Sequence, residues 1–396
     1  MQVYADNAAT TKMSRTAIDA MLPYMDEIYG NPSSLHSVGQ RAAEALQSAR
    51  ETVAQCLNAS PREIYFTSGG SEADNQAILS AARIGARSGK KHIISTAFEH
   101  HAVLHMLKKL EKEGFEVELL PVGSIGTITV QQVADAIRED TCLVTVMYAN
   151  NEIGSVLPIA QIGAVCRARG VLFHTDAVQA AGHLPIDVAA QNIDMLSLSA
   201  HQFHGPRGVG VLYCKKGVLL TSLINGGAQE RGKRAGTENL AGIAGMAAAL
   251  EDACAHMDEN AAKVAAMRDR LIAGLSKIPH SVLNGDPVHR LPGNVHFCFE
   301  GIEGESLLLL LDEKGICASS GSACTSGSLD PSHVLLALGH THEIAHGSLR
   351  LTLCADNTME QMDTIVAAVT DVVDYLRNMS PLWRDKCCGK REFLLK

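Results

Sequence analysis

The sequence lacks a cluster of basic residues, and its 396 residues carry a net charge of −9. We therefore expect no direct nucleic-acid binding, which needs a cationic face. No apolar run approaches membrane-spanning length, and the opening Met1-Gln2-Val3-Tyr4 has neither a basic nor an apolar leader segment. These absences predict no membrane association and a cytoplasmic location.

The cysteines lack CxxC spacing, and their number, 11, is odd. A complete disulfide framework is therefore not expected, and reduced thiols, of which one or two are reactive, fit the pattern better. Internal repeats and low-complexity tracts are also absent. With 46% apolar and 19% charged residues, the chain has the composition of a globular protein with one large and one smaller domain.

What the sequence does contain is an alternation of short, β-forming apolar runs with amphipathic segments. The predicted strands are 63–67, 92–96, 117–122, 143–149, 171–175, 195–199 and 208–214. Helical segments are predicted at 16–25, 72–86 and 159–168. The alternation predicts an α/β fold whose mostly parallel sheet is covered on both faces, with ligands at the carboxyl ends of the strands.

The pattern changes in the last third of the chain. A long helix or helix pair is predicted over 246–278, and the segments 294–299, 306–311 and 348–353 indicate a small α+β unit. We therefore predict a large domain over 15–260 and a small domain formed by 1–14 and 261–396. The tail from Ser380 onward has no periodic pattern and is expected to be mobile.

A glycine-rich turn, Thr67-Ser68-Gly69-Gly70-Ser71-Glu72-Ala73-Asp74-Asn75, follows a predicted strand and begins a helix. The free N–H groups at the helix start and the Ser71 hydroxyl would suit a phosphate, and Gly69 and Gly70 would permit its close approach. The alternative is an ordinary turn with a capping box between Ser71 and Asp74. Both interpretations remain open for this motif alone.

Asp176 and Gln179 stand at the end of another predicted strand, in His174-Thr175-Asp176-Ala177-Val178-Gln179. A carboxylate there can pair with a pyridinium nitrogen and keep it protonated. Otherwise Asp176 caps the next helix.

His100, in Glu99-His100-His101, also follows a predicted strand. It could stack on a flat ring, assist proton transfer, or simply begin a helix. His101 and His105 make a metal site the rival interpretation, but no matching set of ligands stands out, and we predict no metal.

Three further positions carry candidate chemistry. Asn151 lies in Tyr148-Ala149-Asn150-Asn151-Glu152, whose amides can bond a ring oxygen or a carboxylate, or form an Asn-rich turn. Cys324 lies within a loop of small polar residues over 319–330, which indicates an exposed nucleophile rather than a linker. Arg350 interrupts an apolar run and could bind a carboxylate or form a surface ion pair.

The segment Ser199-Ala200-His201-Gln202-Phe203-His204-Gly205-Pro206-Arg207-Gly208 resembles the Ser-x-His-Lys-x-x-Gly-Pro-x-Gly segment of cysteine desulfurases of the NifS/IscS type. In these pyridoxal 5′-phosphate (PLP) enzymes, the lysine holds the cofactor as a Schiff base. The resemblance covers nearly the whole chain. It includes the motifs above and Tyr4-Ala5-Asp6-Asn7-Ala8-Ala9-Thr10-Thr11, Gly30-Asn31-Pro32-Ser33-Ser34, Gly226-Gly227-Ala228-Gln229-Glu230-Arg231-Gly232 and Arg234-Ala235-Gly236-Thr237.

The resemblance implies a PLP-dependent transferase of fold type I, with a mostly parallel seven-stranded sheet in the large domain, acting as a homodimer on L-cysteine. It implies a phosphate site formed by Gly70, Ser71, Ser199, His201 and, from the neighbouring subunit, Thr237. His100 would stack on the ring, Asp176 would pair with the ring nitrogen, and Gln179 would bond the ring hydroxyl. Asn151 and Arg350 would orient the substrate. Cys324 would take the sulfur as a persulfide, leaving L-alanine, and pass it to an iron–sulfur scaffold or a tRNA-thiolating enzyme.

Gln202 departs from the family pattern, because it occupies the position of the PLP lysine. An amide cannot form an imine or transfer the Cα proton. We therefore predict PLP bound non-covalently or as a trapped external aldimine, and turnover that is abolished or very slow. An introduced Lys-to-Gln change is favoured over a natural variant because the other site residues are retained. The alternatives are a non-catalytic PLP-binding sulfur-relay scaffold, a selenocysteine lyase or an aminotransferase. Aminotransfer, however, would give no reason for a cysteine at position 324.

Overall fold

Seven strands form the central sheet of the structure, a computed structural model that describes residues 2–321 and 331–395. The strands of the described residues are β1 (Val3–Tyr4), β2 (Ile64–Thr67), β3 (His92–Thr96), β4 (Glu116–Leu120), β5 (Thr141–Thr145), β6 (Leu172–Asp176), β7 (Met195–Ser199), β8 (Gly210–Cys214), β9 (Ser281–Leu283), β10 (Asn294–Phe299), β11 (Ile316–Cys317) and β12 (Ser348–Thr352). The central order is β2-β8-β7-β6-β5-β3-β4. Within this sheet, β8 runs antiparallel to both of its neighbours, β2 and β7, and the other strand pairs are parallel. The predicted mostly parallel, seven-stranded sheet is confirmed.

The helices alternate with these strands. They are α1 (Arg15–Met21), α2 (Ser37–Cys56), α3 (Gly70–Arg87), α4 (His101–Lys112), α5 (Val130–Ala136), α6 (Ile159–Arg169), α7 (Gln229–Gly232), α8 (Leu240–Ala255), α9 (Met257–Leu275), α10 (Gly304–Glu313), α11 (His333–Ala337), α12 (His342–His346), α13 (Met359–Met379) and α14 (Pro381–Cys387). The predicted helix over 16–25 is shorter, because Pro23 lacks an amide donor and the chain continues as a 3-10 turn over Leu22–Tyr24. Over 246–278 the helix-pair alternative is correct, as α8 and α9.

The sheet is buried on both faces because neighbouring strand residues point in opposite directions. Ile93 of β3 packs in one cluster with residues of α3 and α4. The adjacent Ile94 packs in another cluster with residues of α2, α6 and α8. Buried parallel strands of this kind read as continuous apolar runs, which is why the sequence identified them.

A second core lies around the antiparallel strands β9, β10 and β12. Apolar residues of α9, α10 and α13 pack against them, together with Val3 and Ala5 from the start of the chain. β1 reaches this unit by pairing in parallel with β11. The domain boundaries stay a prediction, which the separate core supports.

Within the described residues, no helix combines the length and apolar character needed to cross a bilayer.

The tail differs from expectation, since it is docked rather than mobile. It forms α14, and Lys386 within it is buried with its ammonium 2.5 Å from Glu300. The Glu300 carboxylate also accepts the amides of Leu394 and Leu395, each at 2.8 Å. Contacts between distant positions, such as Lys386 with Glu300 and Glu343, leave no periodic pattern in the sequence, so the prediction was wrong.

Candidate cofactor and substrate site

A cavity of about 620 Å³ opens at the carboxyl ends of the parallel strands. Most of the predicted site residues line it, namely Gly70, Ser71, His100, Asn151, Asp176, Gln179, Ser199, His201, Gln202 and Arg350. They come from six separate stretches of the chain, and the strands bring them together because each stretch follows a strand or lies within one.

The glycine-rich turn leads into α3 as predicted. Gly69 precedes the helix at φ +155°, and no side chain caps the first turn, so the capping box between Ser71 and Asp74 is not formed. A side chain at position 70 would place its Cβ 2.5 Å from Val178, so glycine is needed there. The free amides of the first helical turn remain available for an anion.

The charge beside this turn is balanced. Glu72 accepts the Ser68 amide at 2.9 Å and forms an ion pair with Arg234 at 2.9 Å. The pairing with Arg234 and the hydrogen bonds from Ser68 hold the pKa of Glu72 below its usual value despite the opposing effect of its burial. The carboxylate therefore repels an anion at the helix start less than a free one would.

Asp176 ends β6 and is buried, with one carboxyl oxygen accepting the Val178 amide at 2.9 Å. No helix follows it, so the capping alternative does not apply. Burial raises the pKa of Asp176, while His100 and the Val178 amide oppose the rise. His100 lines the same cavity and is the N-cap of α4, since its Nδ1 accepts the Ala102 amide at 3.1 Å.

Gln202 lies in a 3-10 turn directly after β7 and is only 5% exposed. Its side-chain amide donates to the Ala8 carbonyl at 2.9 Å. The backbone carbonyl oxygen of Gln202 is 3.0 Å from His183 Nε2. The residue at the expected lysine position is therefore a structural part of the cavity wall.

Arg350 crosses from the second core into the cavity. It is 2% exposed, so it is not the surface ion-pair residue that the sequence left open. One guanidinium nitrogen donates to the Asn151 carbonyl and another to the Asp6 carboxylate, both at 3.2 Å. Its Nε has no partner within residues 2–321 and 331–395. A planar cation held in this way suits a carboxylate ligand.

Two predicted residues are not placed in the cavity. Thr237 is exposed and does not line it. Cys324 lies outside the described residues.

His101 packs against His333 with ring centroids 4.5 Å apart, and burial lowers the pKa of His101 to about 4. Among the described residues, no group of three or more potential ligands could hold a metal.

Asp74 is a cavity residue that the sequence interpretation missed. It was read as a capping residue, but its side chain is only 1% exposed and one oxygen, Oδ1, has no partner among the described residues. A signal was present: Asp74 lies at helical spacing from Ile78 and Ala81, which belong to the buried face of α3. A carboxylate in such an apolar stripe deserves a functional interpretation.

Comparisons with known proteins identify the family to which the chain belongs. The aminotransferase class-V family matches residues 3–365. "Cysteine desulfurase IscS" of Methanosarcina thermophila is 54% identical over 380 residues, covering 96% of this chain and 94% of that protein. "Cysteine desulfurase NifS" of Azotobacter vinelandii is 47% identical, covering 96% and 95%. A solved "NIFS-LIKE PROTEIN" is 37% identical with a TM-score of 0.89, covering 95% of this chain and 100% of that one.

The fold and the cavity thus define an α/β protein of the fold-type-I PLP class. The chain belongs to the aminotransferase class-V family, whose cysteine desulfurase members use PLP. Its residues fit this cofactor: the helix start is free of a side-chain cap, and a buried carboxylate stands at Asp176 in the same cavity.

Proposed function

We propose that the site of this chain is that of a cysteine desulfurase, which converts L-cysteine to L-alanine and places the sulfur on Cys324. The observation that carries the proposal is the joint lining of one cavity by the α3 start, Asp176 and Arg350. These features would serve a phosphate, a ring nitrogen and a substrate carboxylate in turn. The relatives named cysteine desulfurases, at 54% and 47% identity, support the same activity.

The cofactor would be held by groups that the chain already presents. The amides at Gly70 and Ser71, with the side chains of Ser199 and His201, would bind the phosphate. Asp176 would keep a proton on the ring nitrogen, and His100 would stack on the ring. When bound, PLP supplies an electron sink for chemistry at the substrate Cα.

Gln179 would bond the ring hydroxyl, and its amide now donates to the Ala8 carbonyl at 3.2 Å. Asn151 and Arg350 would orient the substrate. Arg350 lines the cavity, and its guanidinium would bind the carboxylate of L-cysteine.

Sulfur transfer would require a thiolate at Cys324. It would attack the substrate sulfur, forming an S–S bond while the substrate C–S bond breaks and its electron pair stays with the substrate carbon. A proton at that carbon then gives L-alanine, and the persulfide remains on Cys324. We propose that an acceptor protein, an iron–sulfur scaffold or a tRNA-thiolating enzyme, removes this sulfur in the cytoplasm.

Gln202 would prevent efficient turnover. A carboxamide has no basic nitrogen to bond PLP covalently or to carry the Cα proton. We therefore infer that PLP is retained without a covalent bond to the protein and that the chain as written is inactive or very slow.

We further propose a homodimer in which Thr237 completes the partner's phosphate site. Thr237 is exposed, and the nearby Arg234 joins its segment to Glu72 at the start of α3. Dissociation of the dimer should therefore weaken PLP binding.

Mass spectrometry of the protein after incubation with PLP and L-cysteine tests the proposal. With Gln202→Lys, we expect alanine and a persulfide on Cys324, and the additional change Cys324→Ser should abolish the persulfide but retain PLP. If the chain is a relay scaffold, the Gln202→Lys variant should release no alanine from L-cysteine. If it is a selenocysteine lyase, the variant should release alanine from selenocysteine but not from cysteine. Sulfur transfer that is unaffected by Cys324→Ser would refute the role of Cys324.

A further inference from the structure

Three buried carboxyl side chains interact electrostatically at the cavity, and two of them, Asp74 and Asp176, line it. Asp74 comes from α3, Asp176 from the end of β6, and Glu99 from the loop before α4. Each is at most 6% exposed. Within the described residues, no lysine or arginine forms an ion pair with any of them. Three buried carboxylates without a paired cation would repel one another strongly, so at least one of them must keep its proton.

The hydrogen bonds differ between Asp74 and Asp176. Asp176 accepts a backbone amide from Val178 at 2.9 Å, which stabilises a carboxylate. Asp74 Oδ1 accepts no hydrogen bond from the described residues, although it lies within a cavity wall. The ionised form therefore has better support at Asp176 than at Asp74.

A protonated Asp74 fits the groups around it. Ser197 of β7 interacts with its carboxyl, and Ser197 Oγ lies 3.0 Å from His174 Nε2. His174 Nδ1 in turn lies 2.8 Å from Thr145 Oγ1. A proton on Asp74 can be donated to Ser197, whose own proton goes to His174, and that ring donates to Thr145. His174 then accepts a hydrogen bond from Ser197 at Nε2 and donates one to Thr145 at Nδ1, so both of its ring nitrogens are satisfied.

The titratable neighbours favour the same state. Burial raises the pKa of Asp74 well above its usual value, Asp176 and Glu99 add to the rise, and the interaction with Ser197 opposes it without reversing it. Burial lowers the pKa of His174 to about 3, so this ring, 3.6 Å from Asp74 Oδ1, is neutral and cannot compensate a carboxylate.

We propose that Asp74 is a positioning residue that stores a proton at neutral pH, so that Asp176 alone is ionised and faces the cavity with a single negative charge. The inference rests on the proposed function only in giving Asp176 a cofactor nitrogen to pair with. If Asp74 were also ionised, its carboxylate would compete with that of Asp176 for the proton of this nitrogen.

Infrared spectroscopy of the cofactor-free protein with 13C-labelled aspartate carboxyls tests the proton directly. In neutral buffer we expect an isotope-shifted band of a protonated aspartic acid, lost in Asp74→Asn and retained in Asp176→Asn. Glu99→Gln should leave it unchanged because glutamate is unlabelled. Absence of the band from the unchanged protein, or its loss only in Asp176→Asn, would overturn the proposal. If Asp74→Asn does not fold, the unchanged and Asp176→Asn proteins still give these outcomes.

PLP binding provides a second readout. Asparagine reproduces the neutral form of Asp74, so Asp74→Asn should change the PLP dissociation constant at neutral pH by less than about threefold, as for a retained hydrogen-bonding group. Asp176→Asn should weaken binding roughly tenfold to a hundredfold, the loss of a hydrogen bond to a charged group. Equal losses in both variants would contradict a protonated Asp74. Failure of PLP to bind any variant, with the infrared band intact, would reject the proposed function but leave the stored proton established.

Discussion

The side-chain amides of Gln179 and Gln202 donate to one acceptor, the carbonyl oxygen of Ala8, at 3.2 and 2.9 Å. All three residues also line a second cavity of about 350 Å³. They therefore form a shared wall between the two cavities. Because Gln179 would keep the Ala8 carbonyl bonded, the wall should tolerate a change at Gln202.

Gln202→Lys should restore a covalent bond to PLP and production of alanine from L-cysteine. A lysine amine can form a bond to the cofactor that borohydride reduces, whereas the amide cannot. The measurement is the protein mass after PLP and borohydride treatment, followed by peptide mapping. We expect an adduct at position 202 in the variant and none in the unchanged chain. A specific adduct on Lys12, which lines the second cavity, would instead show that another amine substitutes.

Arg350→Lys should weaken L-cysteine binding roughly tenfold to a hundredfold, the range for a lost charge-assisted hydrogen bond, with little change in PLP content. Lysine keeps the charge but loses the planar fork that Asn151 and Asp6 now hold. Spectral titration of the PLP-loaded protein with L-cysteine measures this. Arg270→Lys is the matched control, because Arg270 is 57% exposed and pairs with Asp363. Similar cysteine affinity in both variants would remove Arg350 from substrate binding.

The sequence was sufficient where local pattern and burial agree. Strands β3, β7 and β10 begin and end where their apolar runs do, and the residues after the parallel strands meet in one cavity. Arg350 was ambiguous because its surroundings are set by Asn151 and Asp6, which are distant in the chain. Such contacts have no local signature.

Asp74 and the tail show the same limit in different ways. The spacing of Ser71 and Asp74 matched a capping box, but the buried face of α3 determines where Asp74 points. The tail was expected to be mobile because its anchor is a pairing of Lys386 with Glu300, 86 positions apart. Neither the depth of a carboxylate nor a distant ion pair follows from periodicity.

Glu99→Gln should reduce the loss of stability that accompanies a rise in pH. Burial is the main reason that the pKa of Glu99 rises from 4.5 to about 8. Between these values the folded protein keeps a proton that the unfolded chain releases. The stability contribution is therefore complete below about pH 4.5 and is lost as pH rises towards 8, by at most about 1.4 kcal/mol per pH unit.

Glutamine mimics the protonated carboxyl. Urea unfolding at several pH values in this range should therefore show that the free energy of unfolding falls less steeply with pH for Glu99→Gln than for the unchanged chain. Glu111→Gln, at an exposed position of α4, is the control and should leave the slope as it is. An unchanged slope in Glu99→Gln would mean that Glu99 is ionised in the folded protein.

Lys386→Ala should destabilise the protein by about 3–5 kcal/mol, whereas Lys390→Ala should cost about 0–1 kcal/mol. Lys386 is 2% exposed and pairs with Glu300, which is fully buried and would be left without its cation. Lys390 pairs with Asp385 at side-chain exposures of 72% and 42%, where water already screens both charges. Urea unfolding measures both free energies. Hydrogen exchange of the Leu394 and Leu395 amides, which bond Glu300, should accelerate only in Lys386→Ala. Equal, small effects of the two variants would mean that Glu300 takes up a proton or water in place of Lys386, and that the tail is held by its apolar contacts instead.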